Sequence, residues 1–286
     1  MKILLTGASG FIGRNLAAAL TMAGHQVVPA SRRDGMDFRQ MLSPAVWIPR
    51  LDGVDAVINA VGIIGETGRQ RFESLHTLAP IALFQACVQT GVRRVVQISA
   101  LGADDTAVSA YHLSKRAADD GLRELDLDWF VLKPSLVYGR GGRSAALFMR
   151  MATLPLIPVI GDGRQMLQPV HISDLVAAVV QALTSPDVRQ TLDVVGAERI
   201  SFADWLQAMR RTRGQPRARL LHVPALLAMT LMRVASVVSP LLRADNLRML
   251  QRGSVGDCQL LTQFLGRRPL GVGACLLHDG NRQGRN

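Results

Sequence analysis

Cysteine is scarce in this chain of 286 residues: Cys87, Cys258 and Cys275 are odd in number, far apart and without metal-ligand spacing. A disulfide framework is thereby excluded, and the three read as isolated thiols of a reducing compartment. No secretory leader is expected either, because Met1-Lys2 runs into only three apolar residues before Thr6-Gly7. The expectation is a cytoplasmic protein. His25, His112, His171, His222 and His278 show no metal spacing, so no metal is expected. Neither an internal repeat nor a low-complexity tract occurs.

Apolar residues make up 48% of the chain, enough for the core of one sizeable domain or a domain with an added lobe. The net charge of +11 is unevenly placed: residues 1–198 hold 19 basic and 18 acidic side chains, whereas 199–286 hold 14 and 4, and all 14 are Arg. Guanidinium groups favour bidentate contact with phosphate or carboxylate, which makes a phosphorylated substrate, anionic lipid or nucleic acid the candidate partners. No basic motif is interleaved with aromatics, so nucleic acid is set aside. The stretch 220–242 is apolar but carries Pro224, Pro240 and Arg233. An Arg central in a spanning helix costs about 2.5 to 3.5 kcal/mol, which argues against a single span. A buried helix of a second lobe is expected there; the other reading is an interfacial helix in peripheral contact with a membrane's inner face.

The most informative segment is TGASGFIG at 6–13, directly after Ile3-Leu4-Leu5 and before an Ala- and Leu-rich helix that ends at Gly24. Strand, glycine turn and helix in that order outline a dinucleotide cradle. Gly7 permits the turn, Gly10 lets backbone approach a pyrophosphate, Gly13 allows close packing, and the helix start, with Ser9, Phe11 and Ile12, offers N–H groups to the anion. Short strand-like runs then alternate with helical patterns: 26–30, 56–59, helix 72–89, 94–99, helix 111–125 and 129–133. Such alternation predicts a doubly wound parallel α/β sheet, with binding at the carboxyl ends of its strands. A shortened third strand is expected at Met36-Asp37-Phe38. Beyond Gly139 the texture becomes Gly- and Pro-punctuated, with helices from Ser173-Asp174 to about Leu183 and from Ser201, a cap, to Gly214. Two domains are expected, a nucleotide-binding one over 1–195, with loop 140–170 contributing to the second, and a small Arg-rich lobe over 196–286.

At the end of the second strand stand Ser31, Arg32 and Arg33, where a carboxylate would bind the two ribose hydroxyls of NAD. A hydroxyl and two guanidinium groups suit a 2′-phosphate instead, so NADP is expected over NAD. Tyr111 and Lys115, four apart on one helical face, can do acid/base work with Ser99, which ends the preceding strand. An ammonium and an oxidised nicotinamide both favour the phenolate, so the Tyr111 pKa is expected to fall from about 10. Only two tyrosines occur in the chain.

Together these segments resemble the extended or atypical short-chain dehydrogenase/reductase superfamily, which includes nucleotide-sugar epimerases and dehydratases. The likeness spans roughly residues 1–195. TGASGFIG matches its TGxxGxxG; Asn59-Ala60-Val61-Gly62 resembles the loop after its fourth strand, Asp37 its adenine-contacting acid, and Lys133-Pro134 through Gly139 its RPxxVYG segment near the nicotinamide. Gly161-Asp162-Gly163 and His171 through Asp174 resemble its GDG and HVxD stretches. The resemblance implies a catalytic Ser99, Tyr111 and Lys115, with Tyr111 and Lys115 also at the nicotinamide end. His76 stands where many relatives place the Asn of a proton relay, and Gln168 where sugar-nucleotide enzymes often use Arg. The runs 96–103 and 247–257 look nearest to the branch of the nucleotide-binding accessory subunit of respiratory complex I and its bacterial relatives, which implies a structural NADP(H). Two functions follow as expectations: an NADP(H)-dependent oxidoreductase or epimerase/dehydratase acting on a small hydroxyl or carbonyl compound, or a non-catalytic NADP(H)-binding scaffold on a membrane or respiratory complex. An oligomer is compatible with either.

Overall fold

In the computed structural model, which describes residues 1–224, 249, 250 and 252–272, the apolar runs of the sequence become a six-stranded sheet. Along the chain come β1 (Lys2–Thr6), α1 (Phe11–Met22), β2 (Gln26–Ala30), α2 (Pro44–Trp47), β3 (Ala56–Asn59), α3 (Ala79–Thr90), β4 (Arg94–Ile98), α4 (Ala110–Arg123) and β5 (Asp128–Pro134). There follow β6 (Val137–Tyr138), α5 (Arg143–Thr153), β7 (Leu156–Ile160), β8 (Met166–Leu167), β9 (Val170–His171), α6 (Ile172–Thr184), β10 (Gln190–Val194), β11 (Ile200–Ser201), α7 (Phe202–Arg211) and β12 (Arg219–Val223).

The sheet order is β10-β5-β4-β3-β1-β2, and β1 to β5 run parallel. Successive side chains alternate between faces, yet both sets are buried: Leu4, Val57, Val95 and Val131 on one, Ile3, Leu5, Ile58, Val96 and Phe130 on the other. Parallel strands apolar on both faces are those of a doubly wound fold. From β1 the chain crosses to β2 on one side and then to β3 on the other. That reversal opens a crevice at the carboxyl ends of β1 and β3.

No strand forms at 36–38. The Asp37 carboxylate accepts the N–H of Arg39, two residues on, at 3.1 Å, and this local turn curls the chain where a strand would run extended. Met36 and Phe38 nevertheless reach the core beside Trp47 and Leu51. A second local feature precedes α3. Pro80 has no N–H for the His76 carbonyl four residues back, and the turn Glu73–Leu78 widens to a π-helix in which the Ala79 N–H bonds to the Ser74 carbonyl.

The chain divides into two compact units, Met1–Pro134 with Val176–Asp193, and Ser135–Leu175 with Val194–Asn286. Residues 135–139 and 171–175, which the sequence reading assigns to the first domain, thus group with the C-terminal part. The second unit has its own core of Tyr138, Ile157, Val159, Phe202, Trp205 and Leu206. Ser201 caps α7 by accepting the Asp204 N–H, as its position predicts. Several arginines of this unit are spent inside it: Arg210 is buried and donates to the carbonyls of Ala152, Leu154 and Pro216, and Arg267 pairs with the buried Asp174 at 2.7 Å. The expected helix over 220–242 does not begin there. Residues through Val223 belong to β12, which pairs in parallel with β7, because each strand alone is an apolar edge that the other closes. Residues 225–242 lie outside the described residues. Among the described residues no helix is long and apolar enough to cross a membrane.

Candidate active site

The glycine turn is built for close approach. Gly7 has φ +68°, and a Cβ on it would stand 2.6 Å from the Ala60 carbonyl oxygen. A Cβ on Gly13 would stand 2.2 Å from the Gly7 carbonyl oxygen, so the space this glycine leaves is taken by the turn itself. The Gly7 N–H is anchored on the Ala30 carbonyl and the Gly10 N–H on Gly7. Gly10 caps α1 without a side chain, the first turn at Phe11, Ile12 and Gly13 holds no acid, and Ser9 is exposed. Such an uncapped helix start with bare backbone before it fits a pyrophosphate. Arg14 is folded back on the Ser9 carbonyl at 2.6 Å.

At the end of β2, Ser31 is buried and caps a short 3-10 turn by accepting the Arg33 N–H, while Arg32 and Arg33 are exposed. Sequence reasoning passed over Asp34. Its carboxylate accepts the Ser31 hydroxyl hydrogen at 2.6 Å, so an acid does stand near the β2 end, three residues late. Asp37 is gripped by the Arg39 guanidinium, which holds its carboxyl below the usual range.

Beyond β3, Asn59 is fully buried and its amide is committed: Oδ1 accepts from Thr6 Oγ1 at 2.5 Å and Nδ2 donates to Gln97 Oε1 at 2.7 Å. The loop Ala60-Val61-Gly62 passes beside the helix that carries Lys115. The Lys115 Nζ donates to the carbonyls of Val61 at 3.1 Å and Ile98 at 3.0 Å, and burial pushes it down to about 8. Pro134 ends β5 and its carbonyl accepts the Leu101 N–H.

Tyr111 lies in the first turn of α4, capped by Ser109, with its ring edge-on to Phe72, His76 and His112 at 5.3 to 5.9 Å. Its hydroxyl has no hydrogen-bond partner among the described residues. Contrary to the expected fall, the phenol is pushed up to about 12, by burial first and by Asp119 second. His76 Nε2 accepts the Ile63 N–H at 2.9 Å, so the ring hydrogen is on Nδ1 and faces Ser114 Oγ at 3.0 Å. Burial and Lys115 hold it neutral, down to about 2. His76 therefore ties the loop after β3 to α4.

Ser99, Tyr111 and Lys115 meet on one group that sequence reasoning missed. Asp119, fully buried, accepts the Ser99 hydroxyl hydrogen and bears electrostatically on both Tyr111 and Lys115. The signal was present in the spacing: Tyr111, Lys115 and Asp119 recur every four residues and share a helical face. In the second unit, Gln168 is also fully used, donating to the Gly196 carbonyl at 2.7 Å and accepting the Gly256 N–H at 3.2 Å.

The chain is similar to known proteins on both sequence and structure. It is 27% identical to a ceramide reductase of Caulobacter vibrioides over 220 residues, 73% of this chain and 68% of that one. It is 28% identical over 211 residues to the mitochondrial NADH dehydrogenase [ubiquinone] 1 alpha subcomplex subunit 9 of Mus musculus, covering 68% of this chain and only 56% of that relative's length. The solved structure of MoeE5 in complex with UDP-glucuronic acid and NAD shares the fold at a TM-score of 0.75 and 23% identity, covering 100% of this chain and 99% of that one. The family model for the NAD dependent epimerase/dehydratase family matches residues 3–195, and the chain belongs to that family.

Proposed function

We propose that the protein is an oxidoreductase of epimerase/dehydratase type that acts on a small hydroxyl or carbonyl compound with NADP(H). The observation that carries this reading is the convergence of Ser99, Tyr111 and Lys115 within the unit that also holds the glycine turn. Gly7, Ser9, Gly10, Phe11, Ile12 and Gly13 would hold the pyrophosphate, and Ala60, Val61, Gly62, Lys115 and Pro134 the nicotinamide end. When bound, the nicotinamide supplies or accepts a hydride. Tyr111, a neutral phenol at working pH, gives its hydrogen to the substrate oxygen in reduction and takes it back in oxidation. Lys115 keeps the site positive beside it, and Ser99 orients the substrate oxygen. Substrates are tested by following NADPH absorbance across a panel of alcohols and carbonyl compounds.

NADP is preferred over NAD in this reading because Arg32 and Arg33 stand exposed where the 2′-phosphate would lie, two cations against the one carboxylate of Asp34. Replacing both arginines with Ala is expected to weaken NADPH binding by about 10- to 100-fold, the worth of about one charge-assisted hydrogen bond. NADH binding should change little. Fluorescence titration with both nucleotides checks this, and an equal loss for both would remove the basis for NADP preference.

A nucleotide-binding scaffold is the second reading. It is favoured by the internal use of the Ser99 and Lys115 hydrogens, and by the similarity to the NADH dehydrogenase subunit. In that case the Arg-rich C-terminal part docks on a membrane or respiratory complex. Flotation with anionic liposomes at low salt is then expected to carry the protein upward, with release as salt screens the arginines; protein that stays at the bottom at low salt speaks against it.

A further inference from the structure

Behind Ser99 lies a carboxylate that the proton transfer just described leaves unused. Asp119 accepts the Ser99 hydroxyl hydrogen at one oxygen, and Gln97 Nε2 points at the other from 3.4 Å. Gln97 cannot turn round, because its Oε1 already accepts from Asn59 Nδ2, and Asn59 in turn is held by Thr6. All five side chains are buried. From Thr6 through Asn59 and Gln97 the bonds run in one direction to Asp119, across the carboxyl ends of β1, β3 and β4, and the last free choice is the single hydrogen of Ser99, which meets Asp119 from the other side. A hydroxyl has one hydrogen and two lone pairs, so a Ser99 that donates to Asp119 has only acceptor capacity left for a ligand.

We propose that Asp119 is a positioning residue that sets the direction of the Ser99 hydrogen and so decides whether Ser99 receives a substrate hydroxyl or a substrate carbonyl. This rests on the oxidoreductase reading above. As a carboxylate, Asp119 takes the Ser99 hydrogen, and Ser99 Oγ accepts from an alcohol. As a carboxylic acid, Asp119 donates its own hydrogen to Ser99 Oγ, and the Ser99 hydrogen turns to a carbonyl oxygen. One proton gained by Asp119 redirects one hydrogen, and no bond to carbon changes. The groups that bear on Asp119 are Tyr111, Lys115 and Arg123 from its own helix, Gln97 from β4 and Ser99 directly after it; His76 on the adjacent π-turn is neutral. Burial favours the acid, while the Ser99 hydrogen bond, Lys115, Arg123 and Gln97 favour the carboxylate, and the balance leaves the group pushed up to about 6. Both hydrogen directions are then populated near neutral pH.

Carbon-13 NMR of protein labelled only at aspartate carboxyl groups reads this without a substrate. The Asp119 signal is the one absent from Asp119→Asn, or from Asp119→Glu if the Asn variant does not fold, since Glu carries no label. Its midpoint is expected near pH 6 and is expected to rise by about one pH unit in Ser99→Ala, which removes a hydrogen bond to the charged form. A solvated carboxylate would titrate in the ordinary range below pH 5, and a buried one that merely fills space would ignore the Ser99 hydroxyl. A midpoint there, or one that Ser99→Ala leaves in place, overturns the inference. Absence of any turnover would sink the oxidoreductase reading and leave this titration intact, so the two failures are distinguishable.

Discussion

Tyr111→Phe is expected to cut turnover by about 10³-fold, within the range by which a positioned acid or base accelerates proton transfer. NADPH binding should stay within about threefold, because no more than a single neutral hydrogen bond is removed. Phenylalanine keeps the ring and hence the edge-on contacts to Phe72, His76 and His112 that seat this turn of α4. The lost hydroxyl strands no buried donor or acceptor, since it has no partner among the described residues. Stability therefore acts as an internal control: a fall in activity without a fall in melting temperature isolates the proton-transfer role. The pH dependence has a definite sign. A phenol pushed up to about 12 stays protonated across the neutral range, so carbonyl reduction should not lose rate through Tyr111 as pH rises from 6 to 9. Oxidation, which needs the phenolate, should gain rate over the same interval. Both follow from NADPH absorbance. Unchanged turnover in Tyr111→Phe would end the proton-transfer role of Tyr111.

What could be read from residues alone follows the range of the forces involved. The strand, turn and helix at 2–22 were legible because every determinant is local: an apolar run, three glycines at fixed spacing and an Ala-rich helix. The parallel sheet was legible for the same reason, since alternation of short apolar runs with helical periods leaves few topologies. The missing third strand was not, because one Asx-turn at Asp37 outweighs the pattern of Met36 and Phe38. Nor was β12 legible: an apolar run of its kind becomes helix or strand according to whether a partner such as β7, some sixty residues away in sequence, is there to close its edge. Within the site, Ser99, Tyr111 and Lys115 could be found by spacing. The Tyr111 shift could not, because its sign depends on Asp119 and on burial, neither of which the motif contains.

Gly13→Ala is expected to weaken NADPH binding by more than about 100-fold and to cost about 1 to 3 kcal/mol of stability, the usual penalty of overpacking. The new Cβ would lie 2.2 Å from the Gly7 carbonyl oxygen and 2.8 Å from the Ala8 Cα, and both obstacles are backbone. Neither can retreat. Gly7 is held by its N–H on the Ala30 carbonyl and faces the Ala60 carbonyl so closely that a Cβ there would itself clash. The helix must therefore lift off the turn, which moves the N–H groups of its first residues away from the place where the pyrophosphate would lie. Gly24→Ala supplies the contrast. Gly24 has φ +81° but open space around it, so alanine there costs about 1 kcal/mol for the left-handed backbone and leaves nucleotide binding unchanged. Thermal unfolding and fluorescence titration separate the two effects. If Gly13→Ala binds NADPH like the parent chain, the glycine turn is not the nucleotide cradle, and the function built on it falls with it.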